Sequence, residues 1–384
     1  MRDAIAVVGL GHTDYRELYF STTRGRADVD KYGLAAEVTR TALAETGLNN
    51  SDIDGLVVGP GVSIARAAEV LGLDLRWSSS QDACASMIEA AIAIIAGVAD
   101  VVLLLHTTDQ RSTDVKYGGS STPGQDEHLS YHYYAPWGLT SQGALYGLTA
   151  RRFLAEFGMT EQMLAQVAIA DRQWALLNPH SILQRELTLD SYLAEPFIVD
   201  PFRRSDYCLV NDGAVAVLVT SADRARDLSC ARRVMLTGFA AASEGRGATS
   251  LRQRMDYYYP AQRRAANALY EMAGLQQTDI DCLEIYDSFS IHVPVGLSGF
   301  GFAEPERVGS WLLEGNHFPG GALPVNTGGG HLAESYLHGW NHLAEAILQA
   351  RGAAGDRQVP GCGRVQCITH GGGRIKSLIL SRYE

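Results

Sequence analysis

The residues able to do chemistry fall into three groups. Cys84 follows Asp82-Ala83 at the start of an Ala- and Ile-rich helical pattern. A thiol at a helix N-terminus feels the helix dipole, which favours the thiolate and hence a nucleophile. The same residue fits a plain buried thiol in an apolar helix equally well. The second group is glycine: Asn326-Thr327-Gly328-Gly329-Gly330-His331 and His370-Gly371-Gly372-Gly373 are Gly-rich turns. Such turns let backbone N–H groups approach an oxyanion, which makes Gly372 and Gly373 candidate donors. Neither turn matches a dinucleotide fingerprint or a P-loop. The third group is His338 and His370, each suited to acid/base work or to a structural hydrogen bond.

These residues need elements to hold them. Short apolar runs at 4–8, 54–58, 101–105, 214–219 and 364–369 read as strands. Helical patterns lie between them at 34–45, closed by Gly47, and at 84–96, closed by Gly97. This alternation predicts an α/β fold with helices on both faces of a sheet. From 107 to 147 the pattern lapses into Gly, Ser, Thr, Tyr and His, which predicts a long functional loop. Helical patterning returns at 148–157.

An internal repeat organises the chain. Residues 42–54 and 269–281 both read as helix end, Gly-Leu, three polar residues and Asp-Ile-Asp, then strand. Two such matches in register point to a duplicated unit. The expected halves are 1–222, with an inserted loop region at about 107–201, and 223–384.

Composition narrows the classes. The chain has 384 residues, 46% of them hydrophobic, and a formal net charge of -11. That length buries a large core. The acidic balance disfavours a general nucleic-acid binder, which shows a basic face. The six cysteines lack the spacing of a four-ligand zinc site, so no metal centre is expected. The chain opens without a signal-peptide pattern, and no apolar run is long enough to span a bilayer; a reduced, cytoplasmic setting is expected.

Asp82-Ala83-Cys84-Ala85-Ser86, Tyr286-Asp287-Ser288-Phe289, the 326–330 turn and His370-Gly371-Gly372-Gly373 resemble the thiolase superfamily over essentially the whole chain. Within it the sequence is most similar to the sterol carrier protein x thiolase-like branch and its lipid-transfer-protein-type steroid side-chain aldolases. The resemblance implies a five-layer α-β-α-β-α sandwich of two βαβαβαββ halves. Cys84 matches the thiolase acyl-accepting Cys. Three other thiolase motifs depart. Asn-Glu-Ala-Phe is Tyr286-Asp287-Ser288-Phe289, Gly-His-Pro is Ser335-Tyr336-Leu337, and Cys-x-Gly-Gly is Thr369-His370-Gly371-Gly372. The activating His and the second Cys are therefore missing from their usual places.

The aldolases of this branch carry Tyr at two of these points, and Tyr286 and Tyr336 match them. The resemblance thus implies retro-aldol cleavage of a β-hydroxyacyl-CoA with a bulky steroid-like group, by Tyr-based acid/base chemistry. One phenol would be lowered toward ionisation by nearby donors. Asp287 and His370 adjoin the tyrosine and glycine motifs as further candidates, with Gly372, Gly373 and His338 binding substrate or oxyanion. It also implies a CoA thioester as substrate with no bound cofactor, a homodimer, and a separate OB-fold/zinc-ribbon partner. Two rivals stay open. One is a thiolase or acyltransferase that uses Cys84, with His370 or His338 as base. The other is a non-catalytic lipid- or acyl-CoA-binding subunit.

Overall fold

A computed structural model describes residues 2–115, 135–139, 141–228, 233–244, 256–371 and 373–383. β1 (Ile5–His12) leads into α1 (Tyr15–Ser21) and α2 (Lys31–Ala44). β2 (Gly55–Val58), α3 (Ile64–Leu71), β3 (Trp77–Ser80), α4 (Ala83–Ile95) and β4 (Val101–Asp109) follow in alternation. The insert holds α5 (Gln142–Phe157), α6 (Glu161–Leu177), α7 (Leu189–Ala194) and the short paired strands β5 (Phe197–Val199) and β6 (Phe202–Arg203). β7 (Asp212–Ser221) returns to the sheet and α8 (Ala222–Asp227) links the two parts. The second part is β8 (Val234–Ser243), α9 (Tyr259–Ala273), β9 (Cys282–Ile285), α10 (His292–Gly299), α11 (Val308–Leu313), α12 (Trp340–Arg351), β10 (Arg364–Gly371) and β11 (Arg374–Arg382).

Nine strands join in the order β3-β2-β4-β7-β1-β8-β11-β10-β9. The middle link, β1 to β8, is only two residue pairs, Ala6 with Met235 and Val7 with Val234. On either side of it the pattern repeats. β2 and β4 run parallel, as do β9 and β10. β4 with β7 and β7 with β1 are antiparallel, as are β10 with β11 and β11 with β8.

Strand residues alternate between faces, and that alternation builds three hydrophobic layers. Ala6, Val8, Leu56, Val58, Leu103 and Leu218 pack outward under α2 and α3. Their neighbours Val7, Val57, Leu104 and Val217 pack inward with α4 and α12, which also meet Val365 and Leu378 of the second part. Leu283, Ile285, Ile368 and Ile379 pack outward under α9 and α10. Helices, strands, helices, strands, helices: the five layers expected from the sequence are present.

The repeated segments fold alike. Gly47 and Gly274 both turn through positive φ, +75° and +64°, where a side chain is disfavoured. Asp52 accepts from Asn49 N–H at 2.9 Å, and Asp279 from Gln276 N–H at 2.8 Å. Ile53 and Ile280 are both buried. Asp54 accepts from Asp100 and Val101 N–H at the start of β4. Asp281 accepts from Gly363 and Arg364 N–H at the start of β10.

The insert differs from its expectation. Among its described residues helices predominate over loop, and α6 has no counterpart in the sequence reading. α5 starts at Gln142, not 148, because Ser141 caps it through Ala144 N–H. Two glycines mask its apolar period: a Cβ on Gly143 would lie 2.3 Å from the Tyr207 hydroxyl, and one on Gly147 would lie 3.0 Å from Val199. Residues 116–134 and 140, most of the expected loop's middle, lie outside the described residues.

Candidate active site

Each functional side chain sits at an element end. Tyr286 follows β9, its N–H bonded to Ile368 O of β10 at 2.9 Å. Tyr336 lies in the 335–339 connection between a π-helical turn, Gly330–Glu334, and α12. Gly329 and Gly330 open the turn at φ of +106° and +58°, and extended Ser335 with Gly339 at φ +89° keeps it from running on into α12. Tyr336 N–H donates to Asn211 Oδ1 at 2.7 Å, and Asn211 Nδ2 donates to Ser335 Oγ. That clamp fixes the connection against the start of β7.

Two phenols meet here. Tyr286 Oη and Tyr336 Oη are 3.0 Å apart, and Tyr336 Oη is 3.1 Å from His338 Nδ1. Burial raises Tyr286 well above an ordinary phenol, although the Tyr336 bond works against it. Tyr286 therefore keeps its proton. Burial lowers His338 to about 4, so its ring is neutral.

A wall of buried polar residues backs the tyrosines. The His331 ring stands edge-on to Tyr286 at 4.7 Å and to Tyr336 at 4.9 Å. Its Nε2 accepts from Gly339 N–H at 3.0 Å, and its Nδ1 faces Asp287 Oδ1 at 3.1 Å. A ring that accepts at Nε2 carries its proton on Nδ1. Asp287 also takes the His331 backbone N–H at 2.9 Å and His342 Nε2 at 2.8 Å. His342 Nδ1 meets Glu284 at 2.9 Å. Burial opposes charge on His342, but the bonds to Asp287 and Glu284 outweigh it and lift the ring to about 10. Burial likewise opposes the Asp287 carboxylate, and His331 and His342 outweigh it and hold the group well below its usual range. Asp171 of α6 reaches the same spot. A Cβ on Gly330 would lie 2.4 Å from Asp287 Oδ2 and 3.0 Å from Asp171 Oδ2. Burial and the adjacent Asp287 push Asp171 up, so it keeps its proton.

Asp287, His331 and His342 are also the described residues whose ligand atoms cluster tightly enough for a metal ion. Protons account for this geometry. His342 is bonded to a carboxylate at each nitrogen, as an imidazolium would be. His331, His342, Glu284, Asp171 and Asn211 were not singled out from the sequence. Glu284, a carboxylate inside the apolar run of β9, was the visible signal, because a buried charge demands a partner.

Cys84 lies in the first turn of α4, which Asp82 caps through Ala85 N–H. Of the two readings open for Cys84, its surroundings favour the buried thiol. Burial pushes the Cys84 thiol up to about 12, despite the hydrogen bond from Thr369 Oγ1 at 3.3 Å. Desolvation outweighs the dipole because the sulfur is packed among α4, α12 and strand residues. The site of the second thiolase Cys, Thr369, does face Cys84. Its neighbour His370 points to the other side of β10, as strand alternation requires. His370 Nε2 meets His292 O at 2.8 Å, and burial holds the ring near 4. His370 is thus not brought to Cys84 or to the tyrosine pair. Gly373 turns at φ +79° under the Tyr258 ring, and its O accepts from Glu244 N–H. Gly372 lies outside the described residues.

Aromatic rings of the insert pack beside the tyrosines. Tyr146 of α5 stacks near Phe289 at 5.1 Å and His292 at 4.5 Å, and His292 lies 6.1 Å from Tyr286. Phe202 lies flat on Phe289 at 5.4 Å. Arg151 and Arg152 pair with Asp200 and Glu156 on the surface.

Comparison with known proteins gives the family. A family model described as Thiolase C-terminal domain-like matches residues 243–381. The chain is 32% identical to the 17-hydroxy-3-oxo-4-pregnene-20-carboxyl-CoA lyase of Mycobacterium tuberculosis, over 91% of this chain and 92% of that protein. It is 32% identical to a steroid side-chain-cleaving aldolase of Thermomonospora curvata, over 91% of each. The solved structure of an Ltp2-ChsH2(DUF35) aldolase superposes with a TM-score of 0.87 at 30% identity, covering 99% of this chain and 98% of that one. The chain therefore belongs to the thiolase superfamily, in the sterol carrier protein thiolase-like branch that includes the steroid side-chain-cleaving aldolases.

Proposed function

We propose that this protein is a retro-aldolase that cleaves a β-hydroxyacyl-CoA with a bulky, steroid-like acyl group. The observation that carries the proposal is the Tyr286–Tyr336 hydroxyl pair at 3.0 Å, beside a Cys84 that stays a thiol. Tyr336 removes the β-hydroxyl proton. The bond between the α- and β-carbons breaks, and the β-carbon becomes a ketone or aldehyde. The electron pair passes to the thioester as an enolate, and the proton returns to the α-carbon, so none is gained or lost. Tyr286, kept protonated by burial, donates to the developing charge. The backbone near Gly372 and Gly373 is the second candidate donor set for the enolate oxygen.

A rigid apolar acyl group would meet half-buried Tyr146, which packs against Phe289 and His292 beside Tyr286. Substrate would be the CoA thioester, with no bound cofactor. A separate small OB-fold/zinc-ribbon partner is proposed because the chain superposes over its whole length on an aldolase named for two components. A homodimer is proposed because β3 is an edge strand of the sheet and adjoining α4 exposes Ile92 and Ile95. The same reading divides the chain into halves 1–222, with the insert at about 107–201, and 223–384, and places it in the cytoplasm. No helix among the described residues is long and apolar enough to cross a membrane.

Purified enzyme with its partner should cleave a β-hydroxyacyl-CoA without free CoA. Turnover that strictly requires added CoA overturns the proposal in favour of thiolysis at Cys84.

A further inference from the structure

We infer that Gln110 is a positioning residue that sets the tautomer of His338, and through it the direction of the hydrogen bond to Tyr336. The inference rests on Tyr336 being the base of the proposed reaction. Gln110 is half-buried and follows the last residue of β4. Its backbone is fixed. Val115 N–H donates to Gln110 O at 2.9 Å, and the next two N–H groups, of Arg111 and Ser112, donate to buried Asp212. Its side chain points at the catalytic constellation: Nε2 lies 3.1 Å from His338 Nε2. The other amide atom, Oε1, is buried and has no partner among the described residues. His338 is thus the single side-chain bond that Gln110 makes there.

An amide nitrogen only donates. His338 Nε2 must then offer its lone pair, and a neutral imidazole with a bare Nε2 carries its proton on Nδ1. That Nδ1 is 3.1 Å from Tyr336 Oη, so it donates to the phenol oxygen. With Tyr286 Oη 3.0 Å away on its other side, Tyr336 Oη sits between two possible donors. Two donated bonds favour the phenolate, the form that can take a proton from substrate. The ring is held between Gln110 and Tyr336, on a backbone at φ +52° in the left-handed region. Turning the Gln110 amide over would reverse the chain: Nε2–H would donate to Oε1, and Nδ1 would accept from Tyr336. The proton of Tyr336 would then be tied to His338, and the phenolate would lose a donor.

Selective 15N-histidine labelling of the full chain reads the tautomer directly, with the His338 signal assigned by its loss in His338→Gln. The native enzyme should show Nδ1 protonated and Nε2 bare. Gln110→Glu presents only acceptors to Nε2 and should move the proton to Nε2. With partner and a β-hydroxyacyl-CoA, its kcat should fall by about 10- to 100-fold with KM little changed, the usual cost of losing a group that orients a reacting residue. Gln110→Met, which has no donor, should abolish the Nδ1 preference and serves if the Glu variant does not fold. An Nε2 proton in the native enzyme, or a tautomer unchanged in both variants, overturns the inference. Full activity in Tyr336→Phe instead overturns the reaction proposed for Tyr336, whatever tautomer is found.

Discussion

Tyr286 and Tyr336 stand hydroxyl to hydroxyl at 3.0 Å, although they enter from separate connections. Tyr286 comes from the end of β9 and Tyr336 from the irregular run before α12, and the His331 ring spaces both. Removing either hydroxyl should therefore act on the chemical step. Tyr336→Phe should lower kcat by about 10²–10⁴-fold, the range for losing a general base, with KM changed much less. Tyr286→Phe should also lower kcat, because the retained phenol loses its neighbour. Steady-state kinetics on a β-hydroxyacyl-CoA checks both. Unchanged kcat in the two variants counts against Tyr-based chemistry.

Cys84 should be inert. Its thiol is buried and pushed up to about 12, so almost no thiolate exists at pH 8. Alkylation of the native protein with iodoacetamide, followed by peptide mass spectrometry, should leave Cys84 unmodified. Cys84→Ala should keep most of the cleavage activity. An acyl adduct on Cys84 during turnover would restore the thiolase reading.

His342 should make stability depend on alkaline pH. Its folded value is lifted to about 10 by Asp287 and Glu284, above the ordinary imidazole. A raised folded value means the contribution is complete below about 6.5, the unfolded value. It is lost as pH rises through about 10. Glu334, raised to about 8 first by burial and then by Glu345, acts with the same sign at lower pH. Thermal melting should thus fall between pH 7 and 10. In His342→Gln the step at the upper end should vanish and the one near 8 should remain. His342→Ala leaves two buried carboxylates without their shared cation and should cost about 3–5 kcal/mol at neutral pH. A flat melting profile in the native chain would contradict the bridged imidazolium.

Asp54 and Asp281 perform one task twice. Each receives two adjacent N–H groups at the start of a parallel strand, β4 or β10. Asp54→Ala and Asp281→Ala should each destabilise by about 1.5–3 kcal/mol, the value of hydrogen bonds to a charged group. Urea unfolding measures both. A large effect at one position and none at the other would argue that the two segments are alike only in sequence.

The layered α/β fold was legible in the sequence because its signals are local. Apolar runs of strand length, Gly47 and Gly274 as helix stops, and the repeated Asp-Ile-Asp all act within a few residues of themselves. Cys84 at a helix start was legible for the same reason, and the two tyrosines through the family motifs they match. The charge states were not. Whether Cys84 is a thiolate depends on how much apolar surface α4 and α12 close over it, and desolvation there outweighs the dipole of its own helix. His370 adjoins Thr369 in the sequence, but the alternation of β10 turns Thr369 toward Cys84 and His370 toward His292. The wall of Asp171, Glu284, Asp287, His331 and His342 draws on the insert, the end of β9, the Gly-rich turn and α12. Local pattern determines which elements form. Only their packing decides which buried polar groups come within hydrogen-bonding distance, because that energy depends on separation in space and on the water excluded between them.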